Sequence, residues 1–370
     1  MNILILFTQP WRVGGAETHV EALLKGLFAH KVFLAVNEGS NETKLNQLRE
    51  KMPNLNILYI QSRGANILKW RQSLNRLKKL IQNEHINIIS AQQRTAGIWA
   101  WRLAKSTGVK YTVTMHDPWH RAKFKKLYPK IFPQMIVVSS NLADILTGKY
   151  GFARKSIALI NNGVDFSQFQ PINKFLARRQ LFIQDNSKMI LHVSRMSSVK
   201  GAVSLIIIKA LECLASVGIF YNLTIIGEGP LRARIEEQAS QFNQKYGNRI
   251  TVKNFVKDIN LWYNATDILI GEGRVAIETL ACERPVIAIR NTNKFIGLIT
   301  PENIAYACKI NFDGKDKHVA DYLIAEEIET AFKTTEKSAK IIADYVRKNL
   351  TISEMAQSYL HIFNKLLAKK

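Results

Sequence analysis

The chain has 370 residues, 47% of them hydrophobic, with three cysteines and no low-complexity tract; that is more than one hydrophobic core ordinarily supports, so two globular domains are expected. Fifty-two Lys and Arg against 29 Asp and Glu give a formal charge of +23, unevenly spread: residues 1–170 hold 24 basic and 9 acidic residues, and residues 171–370 hold 28 and 20. Such an excess implies an anionic partner (nucleic acid, anionic lipid or a phosphorylated substrate), while the widely separated Cys213, Cys282 and Cys308 argue against a disulfide framework or a cysteine-bound metal.

The chain opens on MNILILFTQPW, which has neither a basic leader nor a small-residue cleavage site and reads as a first strand. No apolar run reaches the ~18 residues needed to span a bilayer, so a cytoplasmic protein is expected. NILILF, KVFLAV, NILYI, INIIS, KYTVTM and MIVVS follow one another as short, β-branched runs, as buried parallel strands should. After NNGVDFSQFQPINK the pattern restarts with MILHVS, NLTIIG, ITVKNF, DILIG and PVIAI, separated by helical stretches such as GAVSLIIIKALECLA. Strand and helix alternating twice over predict two doubly wound α/β domains, with polar groups for a ligand at the carboxyl ends of the strands.

Several stretches fall at those ends. Gly14 and Gly15 precede a helix whose first N–H groups can face an anion; they lack the G-x-G-x-x-G spacing of a dinucleotide fingerprint. His116 closes the strand in TVTMHDPW, where it can donate to a substrate hydroxyl or simply be structural. In VSRMSSVKG, Arg195 and Lys200 flank a short loop, a spacing that can put two cations on one diphosphate. In GEGRVAIETLACERPV, a tight turn at Gly273 opens a helix carrying Glu278. Nothing resembles a Ser-His-Asp set or a metal-ligand cluster.

Taken together, GGAETHV, TMHD, VSSNLADIL, INNGVDFSQF, VSRMSSVKG, IIGEGPLR and ETLACERPVIA occur in an order that resembles the GT-B-fold glycosyltransferases, specifically the retaining, nucleotide-sugar-dependent family 4 enzymes. The resemblance implies two Rossmann-like domains facing across a cleft. Residues 1–168 would bind the acceptor, with a C-terminal helix at 353–370 packing back on them, and residues 169–352 would bind the nucleotide sugar. It implies donor contacts from Gly14, Gly15, Arg195, Lys200, Gly273 and Glu278, the last to the ribose. His116, Arg195 and Lys200 would act on the transferred sugar and the leaving diphosphate, without metal or cofactor. A UDP-sugar is the donor expected from the family, and a glycolipid or saccharide the acceptor, in cell-surface polysaccharide or glycolipid synthesis.

The chain departs from the family at three places. The first of two glutamates spaced as in the family would fall at Ile270, which cannot touch a sugar; Glu272 is displaced from it by two residues. Arg274 is cationic where an apolar residue is common, and can supplement the diphosphate contacts or pair with Glu272. Glu283 stands where glycine is common. These departures raise the alternative of a catalytically silent GT-B partner or binding subunit.

The basic surplus concentrates in two stretches. In NILKWRQSLNRLKKLIQN, Ile67, Trp70, Leu74, Leu77 and Ile81 form one helical stripe, with Lys69, Arg71, Arg76, Lys78 and Lys79 on the rest; HRAKFKKLYPK adds Lys123, Lys125 and Lys126. A basic amphipathic helix can lie on an anionic membrane, and an ordinary domain helix shows the same pattern. A peripheral position on the inner face of the cytoplasmic membrane is the expected use of this charge. No recognised nucleic-acid-binding module is present, and nucleic acid is not expected as a partner.

Overall fold

The computed structural model describes the chain apart from residues 13, 65, 120–124, 184–186 and 369–370. It divides into two compact units, residues 1–163 with 352–370, and residues 164–351. The first boundary lies before Val164, not after residue 168, because the Val164 N–H donates to Leu350 O at 2.8 Å and Val164 and Phe169 are buried in the second unit's core.

In the first unit, β1 (Asn2–Phe7), β2 (Lys31–Asn37), β3 (Asn56–Ile60), β4 (Ile88–Ala91), β5 (Lys110–Met115), β6 (Met135–Val137) and β7 (Ile157–Leu159) form one sheet. The order is β3-β2-β1-β4-β5-β6-β7, with every pairing parallel. Continuous apolar strands follow from burial on both faces. On β1, Ile3, Ile5 and Phe7 enter one core, while Leu4 and Leu6 enter the other. The last helix, Ile352–Leu367, buries Met355, Ala356, Tyr359 and Phe363 at helical spacing in the core that holds Ile3, Ile5 and Phe7. It crosses the Gly15–Gly26 helix closely, since a Cβ on Gly26 would sit 2.5 Å from the Ala356 methyl.

The second unit repeats the plan with β8 (Met189–Val193), β9 (Asn222–Ile226), β10 (Ile250–Lys253), β11 (Ile268–Gly271), β12 (Val286–Asn291), β13 (Lys294–Leu298) and β14 (Lys315–Asp316), in the order β10-β9-β8-β11-β12-β13-β14. The pairings are parallel through β12; β13 and β14 add on antiparallel. Thus all eleven strand runs expected from sequence form, and β7, β13 and β14 are additions at sheet edges. In each sheet the chain order reverses between two central neighbours, β1 and β4 or β8 and β11. The connections leaving those two strands run in opposite directions at the carboxyl edge, the place where doubly wound sheets bind ligands.

Candidate functional site

The loop leaving β8 is fixed by backbone contact. Ser194 N–H donates to Ile226 O at 3.1 Å, Met196 N–H to Glu228 O at 2.8 Å, and Leu231 N–H to Met196 O at 2.9 Å. This lattice leaves no room for side chains at Gly227 or Gly229: a Cβ would lie 1.9 Å from Ser194 O in the first case and 2.7 Å from Met196 C and O in the second. The loop so held carries Arg195, which is exposed and, among the described residues, makes no salt bridge. It ends at Lys200, half-buried at the start of the Gly201–Ser216 helix.

Beneath it, His192 is buried; its Nδ1–H donates to Ile270 O at 2.7 Å, and Ser194 Oγ–H donates to Nε2 at 3.0 Å. Burial, with the Lys200 charge adding to it, lowers its pKa to about 4. A neutral ring is what this pairing of one donor and one acceptor requires. Ile270 thereby ties the ends of β8 and β11 together, and its side chain is wholly buried in the core.

Next along the chain, Glu272 leaves β11 directly beside Lys200. Lys200 Nζ donates to Glu272 Oε1, while Arg290 Nη1 lies 3.7 Å from Oε2 and Arg290 Nε 2.9 Å from Asp313 Oδ1. Four alternating charges from separate segments are therefore linked at one sheet edge. Gly273, with φ +58° and ψ −128°, caps the Arg274–Ala281 helix, in backbone territory that side-chain-bearing residues avoid. Arg274 does not pair with Glu272. It reaches forward one turn, Nη2 to Glu278 Oε1 at 3.2 Å, and Tyr263 Oη–H donates to Glu278 Oε2 at 2.9 Å. Glu278 is buried, and burial raises its pKa even though Arg274 and Tyr263 pull it back.

In the first unit, Gly14 is extended at φ −178° and caps the Gly15–Gly26 helix; a Cβ at Gly15 would meet nothing within 4 Å. The protein's own packing thus does not require this glycine. His116 stands half-buried at the end of β5. Its Nε2 lies 3.2 Å from Gln92 Oε1, which can only accept, so Nε2 carries the proton. Burial, reinforced by nearby His19, pushes its pKa well below 6.5. A neutral ring protonated on Nε2 leaves Nδ1 as an acceptor, which reverses the direction expected from sequence: His116 can take a hydrogen bond from a hydroxyl. His19 packs edge-on against it at 4.7 Å between centroids and is itself held by Asn162 Oδ1 at 2.8 Å and Tyr359 Oη at 2.9 Å. Tyr359 also meets Thr114 Oγ1 at 3.1 Å.

Sequence reasoning missed His19, Gln92, Asn162, Tyr359, Tyr263, Arg290 and Asp313. His19 had one visible signal, as a histidine beside the apolar stripe Val20, Leu23 and Leu24 of GGAETHVEALL. The others are isolated polar residues whose partners are distant in sequence.

Of the basic stretches, the Ile67–Asn83 helix buries Leu77 and Ile81, whereas Ile67 and Leu68 are 66% and 69% exposed. The expected stripe therefore breaks at its N-terminal end. Lys69, Arg71, Arg76 and Lys79 are exposed and Lys78 is half-buried. Lys125 and Lys126 are exposed; Lys123 lies outside the described residues. Among the described residues no group of three His, Cys, Asp or Glu is arranged to hold a metal, and no helix is long and apolar enough to cross a membrane.

Two doubly wound sheets, each with a glycine-led turn, and with linked charges at the switch point of the second, define a two-domain α/β class. Residues 13–168 match Glycosyltransferase Family 4 and residues 173–349 match Glycosyl transferases group 1. The chain belongs to this glycosyltransferase family. It is similar to the GDP-mannose-dependent alpha-(1-6)-phosphatidylinositol dimannoside mannosyltransferase of Mycobacterium tuberculosis, 28% identical over 199 residues, 47% of this chain and 51% of the relative. The chain thus spans about half the length of that relative, and 56% of the D-inositol 3-phosphate glycosyltransferase of Streptosporangium roseum at 22% identity over 58% of this chain. Among solved structures it resembles a glycosyltransferase from Rickettsia africae ESF-5 with TM-score 0.77 and 20% identity over the whole of both chains. It also resembles Anabaena Alr3699/HepE in complex with UDP, with TM-score 0.76 and 17% identity over 99% of this chain and 100% of the other. These likenesses confirm the GT-B fold.

Proposed function

We propose that the protein is a retaining glycosyltransferase that moves a sugar from a nucleoside-diphosphate donor, preferentially a UDP-sugar, to a lipid-linked or saccharide acceptor in cell-surface polysaccharide or glycolipid synthesis. The observation that carries this reading is the second unit's switch point. There the Gly273 turn, the buried carboxylate of Glu278 and the cation Lys200 are brought to one sheet edge. Phosphate oxygens suit the turn's N–H groups and the helix N-terminus, ribose hydroxyls suit a buried carboxylate, and a departing diphosphate needs cations as its charge develops.

In this reading Arg195 and Lys200 stabilise the leaving diphosphate, Gly273 meets the phosphates, Arg274 shapes the donor site, and Glu278 binds the ribose. Glu272 is the carboxylate nearest Lys200 and stands in for the one missing at Ile270. In the first unit, His116 accepts from a hydroxyl of the transferred sugar, and Gly14 and Gly15 let the backbone approach the diphosphate and the acceptor. The leaving phosphate takes the acceptor's proton, so no protein nucleophile is required.

The HepE complex with UDP supports a uridine donor, and the lipid substrate in the mycobacterial relative's name supports a lipid-linked acceptor. The exposed Ile67 and Leu68 among cations suit a peripheral position on the inner face of the cytoplasmic membrane, apolar tips entering and cations facing anionic headgroups. The test is turnover of UDP-sugars and GDP-mannose by the purified protein, with the anomeric configuration of the product read by NMR. Retained configuration, and turnover lost in Lys200→Ala, support the proposal. No turnover of any donor favours the silent-subunit reading, and an inverted product removes the mechanism.

A further inference from the structure

Glu278 does not stand alone in its pocket. Each of its oxygens accepts one contact, from Arg274 at 3.2 Å and from Tyr263 at 2.9 Å. An ionised carboxylate has about four lone-pair positions, so one remains on each oxygen. A ribose presents two neighbouring hydroxyl donors, which matches that remainder in number. Protonation would spoil the match by converting one acceptor oxygen into a donor.

We propose that Arg274 is a positioning residue for nucleotide binding: from one turn earlier on the same helix it holds Glu278 ionised and turned so that both open acceptor positions meet the ribose. The proposal rests on reading Glu278 as the ribose ligand. It assigns Arg274 a role through a carboxylate and not on the phosphates. The groups that face Glu278 are Arg274 on its own helix, Tyr263 on the Ile259–Ala265 helix, and Cys282 just past the helix end. The Glu336–Asn349 helix, which also packs here, sends Arg347 to Glu283 and to Ala281 O instead. Burial is the main force pushing Glu278 toward its neutral form, and Arg274 is the main opposing charge. Removing it leaves burial less opposed.

The experiment is calorimetric titration of the full chain between pH 5.5 and 8.5. The probe is whichever of UDP, GDP and ADP binds the wild type. Arg274→Met, Arg274→Lys, Tyr263→Phe and Glu278→Ala are compared, each as a ratio to wild type so that the nucleotide's own titration cancels. The proposal expects Arg274→Met to bind about tenfold more weakly at the acid end, in the range of a lost charge-assisted hydrogen bond, with the deficit shrinking as pH rises. Arg274→Lys should restore the wild-type profile, and Tyr263→Phe should shift it in the same direction as Arg274→Met. If Arg274→Met unfolds, the Tyr263→Phe and Arg274→Lys profiles decide the matter. A pH-independent loss in Arg274→Met that lysine does not rescue, or a Tyr263→Phe profile identical to wild type, overturns the proposal while leaving ribose binding intact. Unchanged binding in Glu278→Ala overturns the ribose reading itself.

Discussion

Glu283 shows how one residue can be read from its backbone. It sits just past the Arg274–Ala281 helix at φ +58°, the left-handed conformation in which helices commonly end on glycine. A side chain there costs roughly 1–2 kcal/mol. Arg347 compensates in part, reaching the Glu283 carboxylate at 3.2 Å and Ala281 O at 2.6 Å. Glu283→Ala should therefore lower stability, because strain stays and the ion pair goes. Glu283→Gly should be more stable than Glu283→Ala by about 1 kcal/mol, measured by urea unfolding. At Lys200, whose Nζ already meets Glu272, the change to alanine should leave the fold in place. Turnover of the donor should fall by roughly 10²–10³-fold, the range for removing one preorganised electrostatic contact.

At the scale of elements, the β8–β11 junction should be sensitive to pH. His192 is neutral when folded, with a pKa near 4 against 6.5 in the open chain. Between those values the unfolded chain binds a proton that the folded one refuses, so stability falls as pH drops from about 6.5 to 4. The full effect is about 3 kcal/mol at 1.36 kcal/mol per unit. Denaturation of His192→Gln should lose most of this dependence. Gly227→Ala, which places a methyl 1.9 Å from Ser194 O, should displace the Arg195–Lys200 loop. It should weaken nucleotide binding more than an exposed substitution such as Lys209→Ala, as titration would show.

These elements also show where the sequence was readable. The central strands are buried along most of their length and so read as apolar runs. The edge strands β3 and β10, with one buried position each, were still legible as short β-branched runs, so β1 to β6 and β8 to β12 could be recognised without any partner information. By contrast β7 and β14 are edge strands of three and two residues, too short for any period to mark them, and β13, antiparallel between β12 and β14, is half-buried at three of its five positions. Glu272 was visible, but counting residues placed the family carboxylate at Ile270. What the sequence did not carry is the partner of Glu272: β11 ends at Gly271, and the residue after it turns outward to Lys200. The His19–Tyr359 contact joins residues 340 apart, a pairing that no local pattern carries.

For the whole molecule the surplus of positive charge is the property that composition alone left open. If the exposed end of the Ile67–Asn83 helix meets lipid, binding to phosphatidylglycerol vesicles should weaken steeply with salt. Replacing Lys69, Arg71 and Arg76 with glutamine should reduce it roughly a hundredfold, at about 1 kcal/mol per cation. Binding to phosphatidylcholine vesicles should be weak throughout. Equal affinity for both vesicle types would remove the electrostatic account. The central claim, that the second unit binds a nucleoside diphosphate, is tested most directly by calorimetric titration of wild type and Glu278→Ala with UDP, GDP and ADP. The account predicts saturable binding of one nucleotide, UDP first among them, that is lost in the variant; absence of binding to all three, or binding indifferent to Glu278, would contradict it.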